Sequence, residues 1–149
     1  MGHTYTSCLF HCVFSTKNRE PRLTPAIRER LWPFIGGIAR ENEMKALEVG
    51  GIADHAHMLL SLPAKLPVSK AMQLIKAGSS KFINDSLTKS PFAWQEGYGA
   101  FSVSISAVTA TVAYIRNQEE HHRKRNFQEE LLAFLKRHRI EYDPRYIWT

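Results

Sequence analysis

The order in which strand-like and helix-like segments follow one another constrains the fold of this chain more than any other feature of its sequence. Four segments have the alternating or β-branched pattern of strands, namely 5–16, 45–52, 55–62 and 97–104. Two segments with apolar residues at helical spacing lie between them, namely 24–42 and 68–87. The resulting order, β-α-β-β-α-β, predicts a ferredoxin-like, split βαβ arrangement.

Two more helices are predicted after this unit, over 107–123 and 127–138. We therefore expect an α+β sandwich in which an antiparallel sheet carries the helices of the repeated unit on one face. The C-terminal helices either cover the other face or leave it free for a ligand.

The length and composition fit one domain over residues 1–149. Apolar residues make up 44% of the chain and charged residues 23%, which is typical of a globular protein rather than a disordered one. The 20 Lys and Arg exceed the 14 Asp and Glu, giving a net charge of +6 that is divided evenly between the two halves. Such a balance favours an anionic partner, with nucleic acid before an anionic membrane, and indicates that no single basic tail binds it.

The cysteine usage and the N-terminal sequence favour a cytoplasmic location. Cys8 and Cys12 lie four residues apart on one predicted strand, a spacing that does not suit a disulfide, so we expect two thiols. The first residues lack the basic and apolar regions of a signal peptide. The charge-free segment 97–115 carries five serine and threonine side chains, which makes it too polar for a membrane span. No membrane partner is expected.

Two histidines open the third predicted strand. Because side chains alternate along a strand, His55 and His57 project from the same face. Two convergent imidazoles are half of a metal site. Ordinary buried strand histidines are the alternative, since a His-x-His triplet arises easily by chance in a chain with seven histidines.

Tyr114 and Gln118 lie one turn apart on the third predicted helix, beside its apolar stripe. Taken separately, they are typical of residues that pack at the edge of a core. A helix lying across the face that carries His55 and His57 would instead bring together three metal ligands and an oxygen nucleophile. The combination favours a function over packing.

A series of motifs runs in order over nearly the whole chain. It comprises Phe10–Phe14 followed by Lys17 and Arg19, Asp54–Leu60, Val68–Lys70 with Lys76 and Ser79–Ser80, Trp94–Tyr98, Tyr114–Gln118, His121–His122, and the tail from Phe127 to Trp148. The series resembles the IS200-like, single-tyrosine transposases of small bacterial insertion sequences and the related REP-associated tyrosine transposases. These are histidine–hydrophobe–histidine endonucleases. Here the middle position is Ala56, smaller than usual and expected to face away from the site.

The resemblance implies a mechanism and a set of site residues. Tyr114 would attack single-stranded DNA to give a 5′-phosphotyrosine, while His55, His57 and Gln118 would hold Mg²⁺, with Mn²⁺ as an alternative. Asp54 either orients a metal ligand or caps the turn before the strand. A competing donor set is provided by the pair His121–His122, because three histidines would suit zinc and a hydrolase.

The resemblance also implies a homodimer that binds single-stranded DNA with hairpin ends. A dimer would give the aromatic tail residues partners, namely Tyr142, Tyr146 and Trp148. Basic residues predicted to contact DNA are Lys17, Arg19, Lys70, Lys76, Lys81 and Arg123. Candidates for stacking on bases are Phe92, Trp94 and Tyr98. Two rival functions remain, a non-catalytic single-stranded nucleic-acid-binding module and a metal-dependent phosphodiesterase with a water nucleophile.

Overall fold

The computed structural model describes residues 2–148 and confirms the predicted order of elements. The strands are β1 (Leu9–Ser15), β2 (Lys45–Ile52), β3 (His55–Ser61) and β4 (Gly99–Ser102). The helices are α1 (Pro25–Glu41), α2 (Val68–Phe82), α3 (Val108–Arg116), α4 (Gln118–His121) and α5 (Phe127–Arg137). All strand pairs are antiparallel and the strand order is β2-β3-β1-β4, which is the ferredoxin-like arrangement.

The helices of the repeated unit cover one face of the sheet, as predicted. Thr24 caps α1 by accepting a hydrogen bond from the Ile27 N–H, and Pro25 occupies the first turn, where a missing N–H costs nothing. Alternate residues of β1 and β3 enter the core beneath α1 and α2. The core side chains of these two strands are Cys12, Phe14, Ala56, Met58 and Leu60.

The C-terminal helices cover the opposite face. Val13 and Phe101 project from the sheet and pack against Phe127 and Phe134 of α5. The same alternation that sends Met58 into the first core turns His55 and His57 toward the second face. The two histidines therefore lie in a covered layer between the sheet and the last three helices, where both are fully buried.

Three predicted elements are shorter than expected or are interrupted. β1 starts at Leu9 rather than at residue 5, because Leu9 pairs with Ser61, the last residue of β3, and earlier residues have no strand beside them. β4 is shortened to four residues from the predicted 97–104. The predicted third helix over 107–123 is broken at Asn117, whose φ of −99° and ψ of 28° are not helical.

Two further expectations concern the cysteines and the membrane. Cys8 and Cys12 are both free, and burial raises the pKa of the Cys12 thiol to about 12. Across residues 2–148, no helix has the length and apolar character needed to cross a bilayer.

Gly50 on β2 permits the close approach of α3 to the sheet. A Cβ at this position would lie 2.8 Å from the backbone oxygen of Ile115 and 3.1 Å from its Cγ2. Gly50 also pairs with His57 in the β2–β3 ladder. The missing side chain thus sets the height of the helix that carries Tyr114 above the strand that carries the histidines.

Gly50→Ala is accordingly expected to destabilise the fold by about 1–3 kcal/mol, because α3 must shift to admit the new methyl group. Gly36→Ala in α1 is the matched control, since its Cβ would meet only the Arg40 side chain at 3.8 Å, and it should change stability by less than about 1 kcal/mol. Urea unfolding followed by circular dichroism measures both. Equal stability of the two variants would contradict this account of Gly50.

Candidate active site

His55 and His57 are each held by a hydrogen bond to the ring nitrogen that faces away from the site. His55 Nδ1 lies 2.7 Å from Asp54 Oδ1, and His57 Nδ1 lies 2.7 Å from His11 Nε2. The Nε2 atoms of both rings face a common centre, where each approaches the Glu130 carboxylate. Partners of this kind fix ring orientation in metal sites, so Asp54 and His11 are in position to orient the two histidines.

Burial and neighbouring carboxylates act in opposite directions on these rings. Burial lowers the pKa of His57 to about 4, despite its hydrogen bond with Glu130, and lowers that of His11 to about 3. Burial also disfavours the charged form of His55, but its hydrogen bonds with Asp54 and Glu130 outweigh this and raise its pKa to about 9. A charged His55 therefore lies beside the neutral His57 ring and between the side chains of Asp54 and Glu130.

Tyr114 lies at the edge of this layer, as its position beside the apolar stripe predicts. Its ring centroid is 5.8 Å from those of His57 and His11. Its hydroxyl donates a short hydrogen bond to Glu130 Oε2 and lies 3.0 Å from His121 Nε2. Burial, reinforced by the Glu130 carboxylate, raises the pKa of the phenol above its usual range. The hydroxyl remains protonated until a group accepts its proton.

Gln118 reaches the site because the helix breaks just before it. Its amide Nε2 donates to the Tyr114 carbonyl at 3.1 Å, the acceptor that a continuous α-helix would give to the Gln118 backbone N–H. Its Oε1 lies 3.3 Å from His55 Nε2 and 3.0 Å from His122 Nε2. Gln118 is buried, so the predicted ligand does face the histidine pair.

Glu130 is the central residue of the site, and it was not among the site residues predicted from the sequence. Its Oε1 lies 2.9 Å from His57 Nε2 and 3.5 Å from His55 Nε2, while its Oε2 lies 3.2 Å from His122 Nε2. The residue is 1% exposed. Although burial alone would raise its pKa, the hydrogen bonds from the imidazoles hold it well below the usual range, so Glu130 is ionised.

A signal for Glu130 was present in the sequence. Glu130 lies three residues after Phe127 and four before Phe134, within the apolar stripe of α5. A carboxylate at such a position must either be paired or pay a large desolvation cost. Its presence there indicates a buried partner, although the sequence does not identify which one.

Four side chains could hold a metal ion, and they differ in part from the predicted set. The donor atoms of His55, His57, His122 and Glu130 all lie within 4.8 Å of one another. His122, rather than His121, joins this cluster, and within residues 2–148 its Nδ1 is the buried side-chain nitrogen left without a hydrogen-bond partner. We call His55, His57, His122 and Glu130 the histidine cluster.

A cavity of about 360 Å³ opens beside the Tyr114 ring. Its lining includes Tyr114, Glu130, Arg125 and Arg137. Two guanidinium groups in the lining of the cavity suit a phosphate-bearing ligand, because Arg binds phosphate oxygens in a bidentate manner. Arg137 was not among the basic residues selected from the sequence.

The predicted basic residues do not form one surface around this cavity. Lys70 and Lys81 lie on α2, which covers the face of the sheet opposite the histidines, and Lys81 pairs with Asp85. Arg123 pairs with Glu120 on the surface. Lys17 and Arg19 lie together in the turn that follows β1.

Lys76 has a structural task in place of the predicted contact with DNA. Its ammonium donates to the carbonyls of Gln95, Glu96 and Gly97 at 2.6, 3.0 and 2.8 Å, which uses all three of its protons. Burial lowers the pKa of this half-buried amine. The residue therefore holds the loop before β4.

Lys76→Ala is expected to destabilise the protein by about 1–3 kcal/mol, because three carbonyls lose a charged donor. Lys70→Ala, on the exposed side of the same helix, should change stability by no more than about 0.5 kcal/mol. Thermal or urea unfolding separates the two. If Lys76→Ala is as stable as wild type, the three hydrogen bonds contribute little and this lysine returns to the DNA-contact candidates.

The aromatic residues predicted to stack on bases are mostly buried. Phe92 and Trp94 belong to the core beneath α1 and α2, and the Trp94 indole donates to Ser79 Oγ at 2.9 Å. Because their faces pack against other rings, they are not available to DNA. Tyr98 is 41% exposed and remains a candidate.

The site combines a buried histidine pair on a ferredoxin-like sheet with a tyrosine hydroxyl that donates to Glu130, the carboxylate that also contacts the histidines. Comparison with known proteins agrees with this arrangement. The sequence profile of the family described as "Transposase IS200 like" (Y1_Tnp) matches residues 4–118. The chain belongs to this family. The matched span of this IS200-like transposase includes both histidines and Tyr114 and ends at Gln118, so α5 and Glu130 lie beyond it.

Individual relatives agree with this assignment. Transposases for insertion sequence element IS200 from Salmonella typhimurium and Salmonella typhi are each 28% identical over 127 residues, covering 80% of this chain and 82% of the relative. Among solved structures, a protein from Deinococcus radiodurans described as a transposase has a TM-score of 0.65 at 20% identity, covering 79% of this chain and 96% of its own.

A second solved structure, a REP-associated tyrosine transposase bound to a REP hairpin, has a TM-score of 0.61 at 16% identity, covering 82% of this chain and 73% of its own. At such identities the two structural likenesses show the shared fold. The family assignment shows that the chain is a transposase, as the resemblance implied.

Proposed function

We propose that this IS200-like transposase cleaves and rejoins single-stranded DNA through a covalent 5′-phosphotyrosine at Tyr114, with a divalent cation held at the histidine cluster. The observation that carries the proposal is the position of the Tyr114 hydroxyl, which donates to the same Glu130 carboxylate that contacts His57. A hydroxyl so placed lies beside the phosphate that a cation at the cluster would bind.

In the proposed reaction, the Tyr114 oxygen forms a bond to phosphorus and the bond from phosphorus to the 3′-oxygen breaks. The phenolic proton leaves through the hydrogen bond to Glu130 Oε2, and the departing 3′-oxygen takes up a proton, so the products are a phosphotyrosine and a 3′-hydroxyl. One phosphodiester replaces another, and a phenol is a competent leaving group. Reversal therefore rejoins strands without a nucleotide cofactor.

The residues present fit a divalent cation. His55 and His57 have their Nδ1 atoms engaged and their Nε2 atoms directed to the shared centre, while Gln118 and Glu130 bring oxygen donors to the same point. Mg²⁺ suits the oxygens, and Mn²⁺ suits the imidazoles better. When bound, the cation supplies polarisation of the scissile phosphate. Glu130 can serve both tasks, because Oε1 faces the histidines and Oε2 faces Tyr114.

We further propose that the DNA carries hairpin ends and that the working unit is a homodimer. The hairpin follows from the REP hairpin bound by the solved relative. The dimer follows from family resemblance and from exposed tail aromatics such as Tyr142, which is 46% exposed. Within one chain, Tyr114 already lies beside His57. Light scattering in solution measures the mass of the assembly.

The decisive experiment incubates the protein with single-stranded DNA containing the hairpin repeat that flanks its gene, in the presence of Mg²⁺ or Mn²⁺. A protein–DNA adduct that survives denaturing electrophoresis is the expected result. Cleavage without an adduct would identify a phosphodiesterase with a water nucleophile. Binding with neither product would identify a non-catalytic module, and either outcome overturns the proposal.

A further inference from the structure

A second cavity, which we call the Trp148 cavity, lies at the end of β1 and shares no lining residue with the cavity beside Tyr114. Its volume is about 490 Å³, within the usual range of small-ligand sites. The segment from Ser15 to Arg19 forms one wall, and residues 93–96 with Ile147 and Trp148 form the others. The proposed reaction gives this cavity no task.

Two walls of the Trp148 cavity are fixed to each other by backbone hydrogen bonds. The Lys17 N–H donates to the Ala93 carbonyl at 3.0 Å, and the Gln95 N–H donates to the Ser15 carbonyl at 2.9 Å. The Lys76 ammonium, on α2, also donates to the Gln95 carbonyl of the same loop. Because these walls are preformed, a ligand there would not have to order them on binding.

The two basic side chains that line the cavity are those of Lys17 and Arg19. Within residues 2–148, neither Lys17 nor Arg19 forms an ion pair, in contrast to Lys81 and Arg123. Glu96 is the acidic residue of the lining, so the basic groups outnumber it two to one. Unpaired cations beside a cavity suit a phosphate group.

Trp148 supplies an aromatic surface beside these cations. The Arg19 guanidinium lies 5.7 Å from the centroid of the Trp148 ring, and both side chains are half-buried. Aromatic rings and guanidinium planes are the surfaces on which unpaired bases stack. A duplex offers no free base faces within its stack, so this pair favours a single strand.

One residue that lines the Trp148 cavity, Ser15, is a neighbour of the histidine cluster in the sheet. Ser15 pairs with His55 in the β1–β3 ladder, and the chain from Ser15 to Lys17 spans roughly 7 Å. A strand whose phosphate lies at the histidine cluster can therefore place a neighbouring nucleotide in the cavity.

We propose that the Trp148 cavity binds one unpaired nucleotide next to the cleaved phosphate, with its base stacked on Trp148 and its phosphate contacted by Lys17 and Arg19. The inference rests on the proposed function for the identity of the DNA, but it concerns binding and not the chemical step. It gives the tail a role in positioning the strand.

The test measures the affinity of the full-length protein for a fluorescein-labelled single-stranded oligonucleotide of mixed sequence, in EDTA, over a range of salt concentrations. Trp148→Ala should weaken binding by about 5- to 150-fold without changing the salt dependence, because it removes stacking and no charge. Trp148→Phe should recover most of the affinity. The double variant Lys17→Ala/Arg19→Ala should reduce the slope of log K against log salt by about 1.4, for two lost phosphate contacts.

Two controls match these variants. Ile140→Ala removes an exposed apolar side chain of the tail that does not line the cavity and should leave affinity nearly unchanged, and Lys45→Ala/Lys89→Ala removes two exposed charges outside the cavity. Wild-type affinity in Trp148→Ala, or an equal loss for duplex DNA, would overturn the proposal.

The adduct assay distinguishes this inference from the proposed function. If wild type forms an adduct and Trp148→Ala binds DNA as tightly as wild type, the proposed nucleotide site is wrong, while the proposed function stands. The expected loss of binding in Trp148→Ala, without an adduct in wild type, supports the cavity and refutes the chemistry.

Discussion

Tyr114→Phe is expected to eliminate the covalent protein–DNA adduct while leaving the affinity for single-stranded DNA within about twofold of wild type. Phenylalanine keeps the ring that packs against His11 and Phe134 and removes only the oxygen that forms the bond to phosphorus. Loss of a covalent nucleophile costs about 10⁶-fold in rate, which places the variant below detection in a gel assay. Denaturing electrophoresis with labelled DNA measures the adduct.

Tyr98→Phe is the matched control, because Tyr98 is exposed and lies outside the site. It should form as much adduct as wild type. If Tyr114→Phe also forms wild-type amounts of adduct, another residue is the nucleophile. If both variants cleave DNA without an adduct, water is the nucleophile and Tyr114 has a packing role.

The second large effect concerns the histidine cluster. His57→Ala is expected to abolish Mn²⁺ binding measured by calorimetry and to lower adduct formation by about two to three orders of magnitude, the size expected for several kcal/mol of lost phosphate polarisation. His57 is fully buried and its Nδ1 is hydrogen-bonded to His11, so its Nε2 would be the atom that binds the metal. His3→Ala, at an exposed residue outside the site, should retain both properties.

His57→Ala also leaves the buried Glu130 with one partner fewer, which by itself destabilises the fold. A second variant therefore separates the loss of a metal ligand from the loss of stability. His57→Gln retains a hydrogen-bond donor for Glu130 while removing the imidazole, and it should fold yet show the same loss of Mn²⁺ binding. Unchanged Mn²⁺ affinity in a folded His57→Gln would exclude His57 as a ligand. Gln118→Ala and Glu130→Gln, measured in the same way, show which oxygen donor completes the set.

Local sequence patterns were sufficient for most of the fold. Strand alternation and helical periodicity are properties of neighbouring residues, so the order of elements and the shared face of His55 and His57 follow from them. The element boundaries that were predicted wrongly are those that depend on contacts with residues distant in the sequence. β1 begins only where β3 provides a neighbour for Leu9, and the helix break at Asn117 brings the Gln118 side chain into the site.

The candidate site was predicted in part. The structure brings together Tyr114, Gln118 and the histidine pair. It also shows a hydrogen bond between Asp54 and His55, which fits the first of the two roles that the sequence left open for Asp54, the orientation of a metal ligand. It also removes Lys76 and Trp94 from the DNA-contact candidates, because each is engaged by the loop or core around it. An amphipathic spacing identifies which face of a helix is buried, but it does not distinguish a lysine that binds carbonyls from one that faces solvent.

The sequence by itself determined the ferredoxin-like order, the basic charge and the histidine pair, because each depends on composition or on spacing within one element. Only the tertiary structure decided that α5 closes the second face and brings Glu130 between the histidines and Tyr114. It likewise placed Trp148 beside Arg19, at the other end of the chain. These contacts join residues far apart in sequence, and no local periodicity specifies which buried charge or ring will meet which partner.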